Sequence, residues 1–119
     1  LRTAERYLGV AYLWGGNSQY GIDCSGLVSA ALRGAGINGP ADSGPQEADL
    51  GEAIPLGAPL TRGDMIFWRG HVGLMYSTNL LLHANGHHMR VAFEPLKQAE
   101  ERIFNAGGGP ITARKRLVI

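Results

Sequence analysis

Cysteine is almost missing from this chain. Cys24 is the only one among 119 residues, so an intrachain disulfide is excluded and cysteine usage says nothing of the redox compartment. An excess of one charge is missing too. Eleven Lys and Arg against 10 Asp and Glu leave a formal net charge of +1, and no basic run or interleaved aromatic stripe marks a nucleic-acid surface. No stretch reaches the length of a membrane-spanning helix, and Leu1-Arg2-Thr3-Ala4-Glu5-Arg6 lacks a signal peptide's apolar core. Internal repeats and low-complexity blocks are absent. Because the chain starts at Leu and not Met, a processed product or an excised domain is expected, with residues 1–119 forming a single domain. Such a length allows one core that hides about two-thirds of the unfolded surface.

The segments present predict a layout. Residues 2–8 carry a short helical pattern that stops by Gly9, and Ala11-Tyr12-Leu13-Trp14 reads as extended chain before the turn at Gly15-Gly16. Leu27, Val28, Ala31, Leu32 and Ala35 recur at helical spacing and Gly34 and Gly36 supply the stop, which predicts a helix over residues 24–35. Asp23 is its expected N-cap. From Ile37 to Pro59 the chain is rich in Gly, Pro, Asp and Ser and reads as an ordered surface loop, with one helical turn over Gln46 to Leu50. After Arg62-Gly63-Asp64 the pattern becomes β: Met65 to Trp68, His71 to Tyr76 and Leu80 to Ala84 form an expected antiparallel meander. Arg90 to Phe93 adds a strand, Pro95 to Phe104 a helix with Pro in its first turn, and Ala113 to Val118 a last strand after the hinge-like Gly107-Gly108-Gly109-Pro110. Helices first and strands later predict an α+β domain with helices packed on one face of the sheet.

The lone thiol opens the most strongly predicted helix. There it lies among unpaired backbone N–H groups at the positive end of the helix dipole, both of which favour thiolate and could receive an oxyanion. Asp23 opposes the thiolate with its own charge, and an imidazolium partner tips the balance back. His71 opens the second strand and His83 follows twelve residues later. An odd-length turn centred near Ser77 would make the two rings cross-strand neighbours on one face, with Gly73 leaving room there for a helix end. In that constellation Cys24 attacks a carbonyl, His71 moves the proton, and His83 orients His71.

Taken singly, each residue has a plain structural reading. A free cysteine is commonly a packed small hydrophobe, Asp23 a cap, Ser25 a second helical residue, Tyr12 and Trp14 packing residues, and His87-His88 a solvated turn. A zinc site built from Cys24 and the histidines has no Cys-x-x-Cys spacing behind it. The joint pattern carries the functional reading.

Tyr12-Leu13-Trp14-Gly15-Gly16, Asp23-Cys24-Ser25-Gly26, Gly63-Asp64-Met65-Ile66-Phe67, His71-Val72-Gly73 and Leu82-His83-Ala84 follow one another at intervals that resemble the NlpC-type cell-wall peptidases. The resemblance runs from the first helix to the last strand. It implies an α+β, papain-like cysteine peptidase fold, with N-terminal helices on a central antiparallel sheet and hydrolysis of peptidoglycan stem peptides or muropeptides, commonly between γ-D-glutamate and meso-diaminopimelate, without metal or organic cofactor. By the same similarity Cys24 is the nucleophile, His71 the base, His83 the third polar member, and Tyr12 a hydroxyl near the sulfur. Asp23, Ser25 and Ser43 match positions that bind the peptide in relatives requiring a free N-terminal L-alanine. Members often carry Arg-Thr before the serine, where this chain has Ala41-Asp42, a cation replaced by a carboxylate. Action in the periplasm, at the wall or after secretion is implied, cytoplasmic recycling being the alternative, and an N-terminal bacterial Src-homology-like barrel is a possible companion domain in the full chain. Amidase or acyl-transfer chemistry on another wall bond, or a non-catalytic wall-binding module, are the rival readings.

Overall fold

The computed structural model describes residues 17–18, 21–22, 24–34, 46, 51–55, 58–85 and 90–116. The expected helix over 2–8, the extended 11–14, the Gly15-Gly16 turn, the Asp23 cap and most of the 37–59 loop lie outside these residues.

A two-stranded ribbon, β1 (Asn17–Ser18) and β2 (Gly21–Ile22), leads into helix α1 (Cys24–Gly34). The ribbon pairs antiparallel, Asn17 opposite Ile22, two residues before the thiol-bearing Cys24. The helix begins at Cys24, and Leu27, Val28, Ala31 and Leu32 form its buried stripe, as the spacing predicts. Strands β3 (Glu52–Ala53), β4 (Met65–Trp68), β5 (His71–Met75), β6 (Leu80–Asn85), β7 (Arg90–Pro95) and β8 (Ala113–Arg116) then build a six-stranded sheet in the order β3-β8-β4-β5-β6-β7. Its pairs are antiparallel throughout. The expected meander is therefore present as β4 to β7. Three residues of the expected surface loop behave otherwise: Glu52–Ala53 pairs with Arg116 and Lys115 as an edge strand, and Gln46 is fully buried and bonds Ser29 of α1 through its amide nitrogen at 3.2 Å.

Helix α2 (Leu96–Ile103) corrects two expectations. Pro95 precedes the helix instead of opening it: it ends β7 in extended geometry at φ −55°, ψ 131°, a conformation its ring already favours. The helix also packs on the other side of the sheet. Met65, Phe67, Val72, Leu74, Leu82, Ala84 and Val91 pack with α1, whereas the alternate residues Ile66, Trp68, Met75 and Leu81 pack with Ala99 and, at the margin, Leu96 and Ile103 of α2. Successive strand side chains point to opposite faces, so a strand buried at every position, like Met65–Trp68, needs cover on both. The helices therefore do not share one face. Each fully buried Leu, Ile or Phe in these layers contributes about 1.5–3 kcal/mol. After α2 the chain makes a wider turn through Phe104–Gly108, with Gly107 at φ 89°, before entering β8.

An ion pair pins the start of β4. Buried Asp64 accepts from Arg116 Nε at 2.9 Å and Nη2 at 2.9 Å, and from the Thr61 N–H at 2.7 Å. Burial alone raises the Asp64 pKa, and the Arg116 and Thr61 bonds outweigh it, leaving the carboxyl below its ordinary value.

Candidate active site

The site is built at the β4–β5 turn, where the head of α1 reaches the end of the sheet. Trp68 pairs with His71 across a two-residue turn, Arg69-Gly70, and Gly70 takes φ 77° there, a left-handed conformation that glycine adopts without cost. The Gly70 carbonyl accepts the Cys24 thiol at 3.9 Å. The sulfur at the head of α1 thus reaches the peptide unit that immediately precedes His71. Cys24 itself is buried at 7% exposure.

His71, His83 and Glu94 lie on adjacent strands of the face that carries α2. His71 Nε2 meets His83 Nδ1 at 2.8 Å, and His83 Nε2 meets Glu94 Oε1 at 2.9 Å. Arg102 of α2 closes the chain with a two-pronged contact, Nη2 to Glu94 Oε1 at 2.7 Å and Nε to Oε2 at 3.1 Å. His83 is 0% and Glu94 3% exposed. Trp68 flanks His71 with ring centroids 5.5 Å apart, and the two imidazoles sit edge to face at 5.0 Å.

The register explains this contact and revises the expected one. Leu74 pairs with Leu82 and Met75 with Leu81, so the turn is centred on Thr78 and not Ser77. His83 then falls opposite Gly73, and His71 reaches it diagonally along the same face, a separation that long or aromatic side chains span. Gly73 makes room for this, not for a helix end: a Cβ there would lie 3.1 Å from His83 Cβ and 2.8 Å from Leu81 Cδ1.

Burial depresses the His71 pKa most, and electrostatic coupling to His83 and Arg102 adds to it against the pull of Glu94, bringing it down to about 3. The ring is neutral near pH 7. Burial on its own raises the Glu94 pKa, but its hydrogen bonds to His83 and Arg102 dominate and hold it at about 2. With His71 Nε2 engaged by His83, Nδ1 is its remaining ring nitrogen for proton exchange with a thiol.

Of the residues singled out in the sequence, Cys24, His71 and His83 are brought to this region. Tyr12, Asp23 and Ser43 lie outside the described residues, as does the side chain of Ser25. Gly70, Glu94 and Arg102 were not legible as site residues. A Glu among the charged residues of a surface-like strand and an Arg in the last turn of an amphipathic helix carry no local signal, although Glu94 lies eleven residues after His83 on the next strand. Among the described residues no group of three or more His, Cys, Asp or Glu side chains is arranged to hold a metal ion.

A helix opening on a cysteine and packed against an antiparallel sheet that carries the histidines is the papain-like cysteine peptidase fold, shared with solved structures over nearly the whole chain. The chain belongs to the NlpC/P60 family, whose profile matches residues 9–105. It is 36% identical over 92 residues to a γ-D-glutamyl-L-lysine dipeptidyl-peptidase of Bacillus subtilis (strain 168), covering 71% of this chain and 30% of that protein. It is 34% identical over 116 residues to the peptidoglycan endopeptidase RipB of Mycobacterium tuberculosis, covering 83% of this chain and 47% of that one. The crystal structure of the P60 domain of a Mycobacterium avium subspecies paratuberculosis antigen superposes with a TM-score of 0.79 at 27% identity, covering 99% of this chain and 91% of that one. The chain thus spans less than half the length of these two curated relatives.

Proposed function

We propose that this domain is a cysteine peptidase that cuts peptidoglycan stem peptides, with Cys24 as nucleophile, His71 as base and His83 as the ring that orients His71. The observation that carries the reading is the hydrogen-bonded line Glu94–His83–His71 ending at the strand mouth where the Cys24 thiol rests on the Gly70 carbonyl. His71 Nδ1 takes the thiol proton, and the sulfur attacks the acyl carbon as its carbonyl π electrons move to oxygen. N–H groups of the first turn of α1 face the resulting oxyanion. Collapse of the intermediate breaks the C–N bond, and the imidazolium returns its proton to the leaving amine. Water, deprotonated by His71, then cleaves the thioester and restores the thiol.

The bond assigned is that between γ-D-glutamate and a diamino acid, supported by the activities for which the relatives are named. Tyr12, Asp23, Ser25 and Ser43 are assigned to the peptide pocket by the family motif. Residues 1–119 are read as one catalytic domain of a longer protein acting outside the cytoplasm, for which a barrel domain is the proposed companion. No helix among the described residues is long and apolar enough to cross a membrane.

Mass spectrometry of peptidoglycan and of synthetic L-Ala-γ-D-Glu peptides ending in meso-diaminopimelate or L-lysine tests the assignment. Cleavage after γ-D-glutamate is expected from the native chain and not from Cys24→Ala. Retained hydrolysis by the purified variant would falsify the nucleophile, and cleavage of another acyl bond would reassign the substrate.

A further inference from the structure

We propose that Glu94 and Arg102 form a positioning pair that fixes the proton pattern of both histidines, so that His71 presents a lone pair, not an N–H, to the thiol. This deepens the peptidase reading above and rests on it for its consequence, though not for its geometry. An ionised carboxylate only accepts hydrogen bonds. Glu94 is such a carboxylate, so His83 Nε2, at 2.9 Å from Oε1, carries the proton. In a neutral His83 the other nitrogen, Nδ1, is then an acceptor. His71 Nε2, 2.8 Å away, must donate to it. A neutral His71 protonated on Nε2 has its lone pair on Nδ1. The direction of every proton along the line is set by the one group at its far end.

Arg102 has a separate task. A buried carboxylate beside an imidazole favours imidazolium, and a doubly protonated His83 would donate from Nδ1 as well. His71 Nε2 would then have to accept, its proton would move to Nδ1, and the ring would face the thiol with a donor. Arg102 opposes this by placing a permanent cation on the same carboxylate at 2.7 and 3.1 Å, which counters the field that would protonate His83. Among the described residues, the titratable and charged groups acting on His71 are His83 from β6, Glu94 from β7 and Arg102 from α2. Among the described residues Cys24 from α1 is the titratable group at the near end, and β4 contributes the uncharged Trp68 ring. Burial is what makes the pattern firm: His83 and Glu94 are closed to water, which could otherwise satisfy either tautomer.

The test uses the full chain. In ¹⁵N spectra of the native protein at neutral pH, both rings should show a protonated Nε2 and an unprotonated Nδ1; His71 protonated at Nδ1, or His83 protonated at both nitrogens, overturns the proposal. On the cleaved peptide, Glu94→Gln should lower kcat about ten- to hundredfold with KM little changed, the size of loss found when the outer carboxylate partner of a metal-binding imidazole is removed. Arg102→Met should instead move the acid limb of kcat/KM to higher pH, with Arg102→Lys moving it back. Native kcat in Glu94→Gln, or an unmoved limb in Arg102→Met, refutes the pair's role. If a variant does not fold, the native tautomers still decide. A native protein with the expected tautomers that cleaves nothing removes the peptidase reading and leaves the proton pattern standing; cleavage that requires Cys24, with the opposite tautomers, removes this inference alone.

Discussion

Adding one methyl group at Gly73 should damage both the sheet and the site. The position has no positive φ among those the structure requires of glycine, so alanine is acceptable to the backbone and the effect must come from space. A Cβ would lie 2.8 Å from Leu81 Cδ1 and 3.1 Å from both Leu81 Cγ and His83 Cβ. Leu81 and His83 are fully buried and have little room to retreat. Overpacking of this kind costs about 1–3 kcal/mol, and the stiffer unfolded chain of alanine offsets about 0.5–1 kcal/mol. The net loss is about 0–2.5 kcal/mol, centred near 1, which for a domain of this size lowers Tm by up to roughly 10 °C. Because His83 is one of the displaced groups, turnover at a temperature where the variant is folded should fall as well. Thermal unfolding by circular dichroism and steady-state peptide cleavage measure the two effects. Leu81→Val, which removes the nearest atom, should recover part of both in the double variant. Native Tm and native turnover in Gly73→Ala would refute the claim that the space beside His83 is filled.

Other outcomes follow from the same geometry. His83→Gln should retain more activity than His83→Ala, since an amide oxygen can still accept from His71 Nε2; peptide assays showing equal losses would argue against an orienting ring, and the alanine variant is expected to lose about ten- to hundredfold. Acid should destabilise the fold in two overlapping windows. The unfolded chain protonates His71 from the ordinary 6.5 downwards while the folded one resists to about 3, so this stability is present above 6.5 and lost towards 3. Glu94 adds a loss of the same sign from 4.5 towards about 2. Urea midpoints against pH check this, and His71→Gln should flatten the part above 4.5. Arg116→Leu should lower the urea midpoint, because buried Asp64 would keep only Thr61, and the deficit should shrink once Asp64 is protonated; an unchanged midpoint at pH 7 would refute the pinning role.

Local pattern determined a good deal of this protein. The helix at Cys24, the three strands after Asp64 and the parity that puts His71 and His83 on one face are written in periodicities of 3.6 and 2, which depend only on near neighbours. Five ordered motifs also carried the family and its papain-like fold. What required the tertiary structure is whatever depends on register and on layers. A strand buried on both faces reads alike whether its helices share a face or not, so the place of α2 opposite α1 was not legible in Met65–Trp68. The turn centre at Thr78 shifted the pairing by two residues, which preserves the face and changes the partner: Gly73, not His71, lies opposite His83. Glu94 and Arg102 are ordinary charged residues in the sequence. They join the histidines because β7 pairs with β6 and α2 folds back over that strand pair, a meeting of separated segments that no local spacing records and that burial turns into a fixed direction for the protons.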